Sequence, residues 1–154
     1  MSRWGVGPRT FVPSMAVGLA AWAAGSRWPE VFLLRPRPGV AGILGVVLMA
    51  AGLVLWIAGA ATVMKAYNRD ELVTSGVFGL VRHPAYSAWI TLIFPGLALL
   101  AGSWLMMITP FFAYAIFRRL IPREDAYLTA RFGQPYLEYR RRVNELIPIP
   151  RLCQ

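Results

Sequence analysis

Two long segments without any charged side chain constrain this chain more than any other feature. Residues 38–64 and 84–117 contain no Asp, Glu, Lys, Arg or His. An α-helix rises about 1.5 Å per residue, and the hydrocarbon core of a bilayer is roughly 30 Å thick. The first segment is therefore long enough to cross a membrane as one tilted helix. The second would be about 50 Å long as a single helix, so it must fold back on itself.

The fold-back is predicted at Gly102-Ser103, which separates two apolar arms. This arrangement gives a tight hairpin of two short spans. Pro95 and Pro110 are expected to kink the two arms, because proline has no amide hydrogen and clashes with the preceding turn. Neighbouring helices can satisfy the carbonyl groups that such kinks release.

A further apolar stretch, residues 11–25, is short and contains Pro13. A cleaved signal peptide is the alternative explanation, but Trp22 and the Arg27-Trp28 pair stand where small residues would precede a cleavage site. With 57% hydrophobic residues, the chain is predicted to be an all-α, polytopic membrane helical bundle that forms one domain over residues 1–154. The predicted transmembrane helices are 11–25, 38–64, 84–101 and 104–117, and the predicted cytoplasmic tail is 118–154.

The positive charges predict the orientation of these helices, because short loops rich in Lys and Arg stay in the cytoplasm. If the second span ends on the cytoplasmic side, few basic residues are left on the opposite side of the membrane. The inside group then contains the eight arginines after Phe117 together with Arg3, Arg9, Lys65, Arg69 and Arg82, and the outside group contains Arg27, Arg35 and Arg37. The protein is thus predicted to be an integral, multi-pass membrane protein with both termini cytoplasmic.

The formal net charge of +9 raises the question of nucleic-acid binding. The basic residues lie at the ends of apolar spans, however, and no nucleic-acid motif is present. Membrane lipids are therefore expected as partners, and nucleic acid is not. The single Cys153 permits no internal disulfide, and the sequence has no Cys/His cluster, so no metal site is predicted. The oligomeric state is left open.

The tail is predicted to contain two helices. Pro122, followed by two acidic residues, is typical of a helix start and predicts a helix over about 123–132. Gly133 interrupts it, and a second helix is predicted over about 135–144. One face of that helix carries Tyr136, Tyr139 and Val143, and the other carries Arg140 and Arg141. The first face is expected to pack on the bundle or on a ligand, and the second to meet lipid phosphates.

The single histidine of the chain, His83, lies between Arg82 and Pro84 at the start of the hairpin. A residue before proline avoids the helical region, so this tripeptide is predicted to form a turn just before Tyr86. The turn is interpreted either as an interfacial anchor or as a ligand site. The Glu124-Asp125 pair has the same two interpretations: it complements a helix dipole, or it binds a cationic group of a ligand.

These residues resemble a known family. Residues 72–86, LVTSGVFGLVRHPAY, are similar to the signature of the isoprenylcysteine carboxyl methyltransferase family and the related phospholipid methyltransferases, in which Arg-His-Pro-x-Tyr opens a helical hairpin. The similarity extends to the tail pattern Glu124-Asp125, Leu128, Phe132-Gly133, Tyr136, Tyr139, Arg142-Val143 and Ile147-Pro148. It covers about residues 68–150, roughly half of the chain.

The resemblance implies methyl transfer from S-adenosylmethionine to a lipophilic acceptor that enters from the bilayer, either a small molecule, a lipid or a prenylated substrate. The cofactor-binding residues that it implies are Arg82, His83, Pro84, Tyr86, Glu124 and Asp125. For an amine or thiol acceptor, His83 is the expected catalytic base; for a carboxylate, Arg142 is the expected orienting cation. Two departures from the family pattern, Asp125 in place of glutamate and Trp89 near the usual glycine, leave the acceptor open.

Two other functions remain as alternatives. Sterol-reductase-like membrane enzymes have a similar Arg-His-Pro-x-Tyr hairpin and use NADPH, although their cores normally need more spans than this chain offers. A non-enzymatic, lipid-binding membrane scaffold would use the same arginines and aromatic residues only as interfacial anchors.

Overall fold

The computed structural model describes residues 7–33, 38–67 and 71–149 of the 154-residue chain. Among these residues the structure is helical, and the one extended pairing is an isolated bridge between Leu33 and Ser103. The all-α prediction is confirmed. The helices are α1 Gly7–Arg27, α2 Pro29–Phe32, α3 Pro38–Tyr67, α4 Val77–Leu80, α5 Pro84–Ser87, α6 Phe94–Leu100, α7 Ile108–Phe132 and α8 Gln134–Arg142. The topology residues Arg3, Arg35, Arg37 and Arg69 and the lone Cys153 lie outside the described residues.

Within the described residues, two helices are long and apolar enough to cross a membrane, Gly39–Ala66 and Trp104–Phe132. They contain the second and fourth predicted spans. The third predicted span is a shorter apolar helix, Pro84–Leu100. The first is helical as α1, with Pro13 inside it. The two longest helices thus arise where the sequence has its uncharged runs.

The predicted hairpin is confirmed at Gly102. Its φ of +61° is a backbone conformation that glycine adopts without a steric penalty. The second arm then begins with a 3₁₀ turn, Trp104–Met107, that leads into α7. Pro110 falls in the first turn of α7, where the missing amide hydrogen removes no hydrogen bond within the helix.

The first arm of the hairpin contains a π-helical turn, Ala88–Ile93, between α5 and α6. Pro95, the second residue of α6, lies just after it and cannot donate a backbone hydrogen bond. This arm packs closely on α3 at Gly52, where a Cβ atom would lie 2.6 Å from Cγ1 of Ile93. Such π turns often occur at functional sites, because the extra residue redirects nearby side chains.

The predicted helix start at Pro122 is wrong. α7 continues through Pro122 and ends only at Phe132, so the hairpin arm and the first tail helix are one element. Pro122 removes the helical partner of the Arg118 carbonyl, but this part of the helix is exposed, and water or lipid head groups can replace that partner. The predicted end of the helix is confirmed, with Gly133 at φ +61°.

The second tail helix, α8, ends two residues earlier than predicted. Its tyrosine face is buried against the bundle, with Tyr136 1% and Tyr139 4% exposed. The chain then runs back along the start of the hairpin. The backbone amides of Arg82 and His83 donate to the carbonyls of Asn144 (2.7 Å) and Glu145 (3.1 Å). The Arg82-His83 segment and the Asn144-Glu145 segment, which lie far apart in the sequence, therefore contact each other directly.

Candidate active site

The predicted turn at Arg82-His83-Pro84 is present and introduces α5. His83 occupies the position before the helix with φ −128° and ψ 69°, and Pro84 takes the first helical position. The Ser87 hydroxyl, one turn later, donates to the Leu146 carbonyl. The turn is thus held by α5, which begins at Pro84, and by the segment that follows α8, which contacts Ser87.

Arg82 holds this arrangement together through a buried guanidinium. Its Nη1 donates to Oδ1 of Asp125 at 2.9 Å and to the Tyr136 hydroxyl at 3.2 Å. Its Nη2 donates to Oε1 of Glu145 at 3.0 Å, and its Nε to the Val143 carbonyl at 3.2 Å. A planar guanidinium can serve several acceptors at fixed angles, which a lysine ammonium cannot. Arg82 therefore positions the turn.

Asp125 is the centre of the same cluster and is 5% exposed. It accepts hydrogen bonds from Arg82 and from the Tyr136 hydroxyl, and Nε of Arg140 lies 3.5 Å from its other oxygen. Burial, and after it the bond to Asp125, raises the pKa of Tyr136, so this phenol remains a proton donor. These bonds leave Asp125 outside the cavity that its neighbour Glu124 lines.

A cavity of about 580 Å³ opens beside the turn. At one end its lining includes the polar side chains of Arg82, His83, Tyr86 and Glu124, which come from the turn, from α5 and from α7. Its other end is apolar and aromatic, with Phe11, Trp56, Trp89, Ile90 and Phe94. One continuous space therefore joins a polar, hydrogen-bonding end to an aromatic end.

The His83 imidazole is the most unusual group at the polar end. Its ring is buried, and among the described residues its Nε2 atom has no hydrogen-bond partner. Nδ1 lies 3.8 Å from Oε1 of Glu124. Burial, followed by the positive charge of Arg82, lowers the pKa of His83 to about 3, so the ring is neutral at physiological pH. An unsatisfied buried nitrogen costs about 1–3 kcal/mol, which a ligand hydrogen bond at this position would offset.

Tyr86 connects the turn to α7. Its phenol forms a side-chain hydrogen bond with Glu124. Its ring lies 5.0 Å from that of Phe117, and the His83 ring lies 5.6 Å from the same Phe117, which is fully buried. These ring contacts restrict the orientation of both side chains, so the polar end is preorganised.

The aromatic end is built around Trp89, a residue of the π-helical turn. Its ring centroid lies 4.6 Å from Phe11 of α1, 6.2 Å from Trp56 of α3 and 5.5 Å from Phe94 of α6. The first two contacts have edge-on geometry, which aromatic pairs prefer. Trp89 therefore joins three helices in the wall of the cavity.

The sequence model of the isoprenylcysteine carboxyl methyltransferase family matches residues 43–130, more than half of the chain. The chain belongs to this family. The matched region begins within α3, stops two residues before the end of α7, and includes the Arg82-His83-Pro84 turn, Tyr86 and Glu124. Family membership, together with the two long apolar helices, identifies the chain as an integral membrane protein.

Curated isoprenylcysteine methyltransferases are similar to about half of the chain. Protein-S-isoprenylcysteine O-methyltransferase B of Arabidopsis thaliana is 33% identical over 92 residues, which are 55% of this chain and 43% of that protein. The Schizosaccharomyces pombe protein-S-isoprenylcysteine O-methyltransferase is 33% identical over 84 residues, 53% of this chain and 35% of its own length. The chain thus spans less than half the length of these relatives.

A third relative is the probable O-methyltransferase ustE of Ustilaginoidea virens, 41% identical over 66 residues, which are 42% of this chain and 23% of that protein. No solved structure matches the chain significantly.

The structure brings most of the predicted site residues of this family member to one cavity and leaves two outside it. Arg82, His83, Pro84, Tyr86 and Glu124 line the cavity, whereas Asp125 belongs to the ionic cluster behind it. Arg142 is exposed at the end of α8 and does not line the cavity.

Glu145, which accepts from Arg82, is a residue that the sequence analysis missed. Sixty-three positions separate the two residues, and no periodic pattern connects them.

Proposed function

We propose that this family member transfers a methyl group from S-adenosylmethionine to a lipophilic acceptor that reaches the cavity from the bilayer. The observation that carries the proposal is the cavity itself, which joins the unpartnered Nε2 atom of His83 and the Glu124 carboxylate to an aromatic end around Trp89. A polar cofactor and an apolar acceptor need these two environments in contact. The similarity to protein-S-isoprenylcysteine O-methyltransferases supports the same reaction class.

The residues at the polar end fit the cofactor. Its methionine part carries an ammonium group, for which Glu124 offers a carboxylate, and Nε2 of His83 offers an unused hydrogen-bonding position. A volume of about 580 Å³ lies in the usual range for small-molecule sites. His83, Tyr86 and Glu124 would hold the cofactor, with Arg82 and Asp125 behind them as positioning residues. When bound, S-adenosylmethionine supplies a methyl group already activated by its sulfonium.

The protein's own contribution to such a reaction is alignment and exclusion of water. The Arg82 cluster fixes the turn, and the aromatic rings around Trp89 present an apolar surface to the acceptor. A His83 ring with a pKa of about 3 is a weak base, so we assign it hydrogen bonding and not proton abstraction. A carboxylate acceptor, which arrives already ionised and needs no base, therefore fits this site better than an amine or a thiol.

The cation that we expect to orient an acceptor carboxylate is no longer Arg142. Arg142 lies outside the cavity, whereas Arg131 of α7 lines it, with its Nη1 donating to the Tyr127 hydroxyl at 2.8 Å. We therefore assign Arg131 the role of facing an acceptor carboxylate. Arg142 is left as an interfacial charge.

We place the whole bundle in the membrane with four crossings, α1, α3 and the two hairpin arms, and with both termini and the cavity mouth on the cytoplasmic side. Phe11 of α1 and Trp56 of α3 are 38% and 39% exposed at the aromatic end, which supports entry of the acceptor between these helices. In a Cys153→Ser background, a membrane-impermeant maleimide should label Arg141→Cys only from the cytoplasmic side and Ser26→Cys only from the other. Labelling of both from one side would exclude this topology.

Calorimetry with the purified full chain in detergent tests the cofactor. We expect S-adenosylmethionine and S-adenosylhomocysteine to bind, and His83→Asn and Glu124→Gln to weaken binding by about tenfold, the effect of about 1.4 kcal/mol. Glu138→Gln, a matched change at an exposed position of α8, should bind normally. Absence of binding to folded protein would refute the proposal, and binding of NADPH instead would favour a reductase.

A transfer assay tests the acceptor. Radiolabelled cofactor is offered with a prenylated cysteine derivative that has a free carboxylate, and in parallel with its carboxamide. Label should move only to the acid. Transfer to a lipid amine with none to the acid would overturn the carboxylate assignment while keeping the reaction class.

A further inference from the structure

A second cleft lies on the other side of Asp125, between α7 and the segment around α8. It has a volume of about 540 Å³, and we call it the outer cleft. It is lined by Arg118, Pro122, Ala126, Thr129, Arg140 and Glu145, with Asp125 at its base. It shares no lining residue with the cavity beside the Arg82-His83-Pro84 turn.

The outer cleft is lined by two guanidinium groups and two carboxylates, and a third guanidinium group, that of Arg82, lies directly behind it. Arg118 Nη1 contacts Glu145 at 2.8 Å, Arg140 contacts Asp125 at 3.5 Å, and the buried Arg82 contacts both carboxylates. Three guanidinium groups thus share two carboxylates. The side chains of Arg118 and Arg140 are 53% and 45% exposed and therefore reachable from outside. Guanidinium groups with accessible N–H donors are well suited to phosphate oxygens.

The outer cleft lies at the level where lipid head groups are expected. The uncharged part of the hairpin's second arm, residues 104–117, ends at Arg118, and the long side chain of an arginine near the end of a span can extend to the membrane interface. Arginines at the end of a span meet the head-group region of the bilayer. Arg118 is thus placed to meet a lipid phosphate.

Apolar surface continues from the outer cleft along α7. Phe111 and Tyr114 precede Arg118 by seven and four residues, so they lie on the same helix face. They are 74% and 46% exposed. A lipid with its phosphate at Arg118 can lay an acyl chain along this face, whereas free phosphate would make no use of it.

We propose that the outer cleft binds one acidic phospholipid, with Arg118 and Arg140 holding its phosphate and the Phe111 face of α7 holding an acyl chain. This site is separate from the proposed reaction and does not depend on it. The surplus guanidinium charge attracts the anion, and the adjoining apolar face selects a lipid over a soluble phosphate.

Native mass spectrometry of the purified full chain, without cofactor, tests the site. Phosphatidylglycerol and phosphatidylcholine with the same acyl chains are titrated against the wild type, Arg140→Gln and the double variant Arg118→Gln/Arg140→Gln. The matched control is Arg119→Gln, which removes the same charge from the adjacent, exposed position outside the cleft. Circular dichroism checks that each variant is folded.

We expect the wild type to retain one phosphatidylglycerol and to prefer it over phosphatidylcholine. The double variant should lose at least about fivefold in retention and the single variant less, since only one charged contact is removed. The single variant keeps the Arg118–Glu145 pair and so separates lipid binding from folding. Arg119→Gln should stay close to the wild type.

Three results would overturn the proposal. If Arg119→Gln lost as much phosphatidylglycerol as the double variant, general surface charge would explain the binding. If the wild type retained both lipids equally, the acidic head group would not be recognised. If millimolar inorganic phosphate displaced the lipid completely, the site would be one for a soluble ligand. None of these measurements involves methyl transfer, so a failure here is distinct from a failure of the proposed function.

Discussion

The buried cluster around Arg82 makes a graded prediction about stability. The Arg82 side chain is 1% exposed and that of Asp125 is 7% exposed, at a separation of 2.9 Å. Asp125→Asn removes a negative charge but keeps an acceptor oxygen, and Glu145 remains in contact with Arg82. Arg82→Gln instead leaves the Asp125 carboxylate buried without its main cation. The arginine substitution should therefore be the more damaging of the two.

The magnitudes follow from the bonds involved. A hydrogen bond to a charged group contributes about 1.5–3 kcal/mol and a neutral one about 0.5–1.5 kcal/mol. Asp125 accepts one bond from Arg82 and one from Tyr136. Removing the carboxylate charge weakens both bonds and should lower the free energy of unfolding by about 2 kcal/mol. Arg82→Gln should lower it by about 3–5 kcal/mol, the cost of breaking a buried pair from one side.

Reversible unfolding in mixed micelles measures these free energies. Glu138→Gln is the control, because Glu138 is exposed on α8 and its loss should cost less than about 0.5 kcal/mol. If Asp125→Asn lowered the free energy of unfolding no more than Glu138→Gln does, the Asp125 charge would contribute nothing to stability. If Asp125→Asn cost more than Arg82→Gln, the argument that Glu145 compensates the remaining charge would be refuted.

Three further predictions use the same unfolding measurement. The pKa of His83 is about 3 in the folded chain and about 6.5 in the unfolded chain, so only the unfolded chain gains a proton at His83 as the pH falls below 6.5. The free energy of unfolding should therefore fall by up to about 1.4 kcal/mol per pH unit in that range. His83→Asn should remove this pH dependence. Gly52→Val should cost about 1–3 kcal/mol by overpacking against the hairpin, whereas Gly42→Val, which meets nothing within 4 Å, should cost little. Tyr139→Phe should cost about 1 kcal/mol through the lost 2.7 Å bond to the Phe78 carbonyl, and a cost near zero would show that water replaces that bond.

The sequence predicted the parts of this fold that depend on local pattern. The uncharged run 38–64 became a helix, the excessive length of 84–117 required a turn, and Gly102 and Gly133 ended helices where positive φ was needed. Each of these follows from length, hydrophobicity or glycine geometry. The Arg82-His83-Pro84 turn followed from the restriction that proline places on the residue before it.

The sequence did not predict the features that depend on tertiary contact. Pro122 resembles a helix start, but the hairpin arm reaches it already helical and continues through it. The two neighbours Glu124 and Asp125 looked equivalent, yet one lines the cavity and the other is buried behind it. Only the packing of α7 on the turn distinguishes them, and no spacing in the sequence encodes that packing.

The hydrogen bonds that the amides of Arg82 and His83 donate to the carbonyls of Asn144 and Glu145 have a consequence for biosynthesis. During translation the hairpin is made and can enter the membrane well before these partners exist. The turn therefore acquires its final shape only after Leu146 has left the ribosome and reached Ser87. A nascent chain that stalls between the hairpin and Leu146 therefore lacks the carbonyl groups that hold the Arg82-His83 turn.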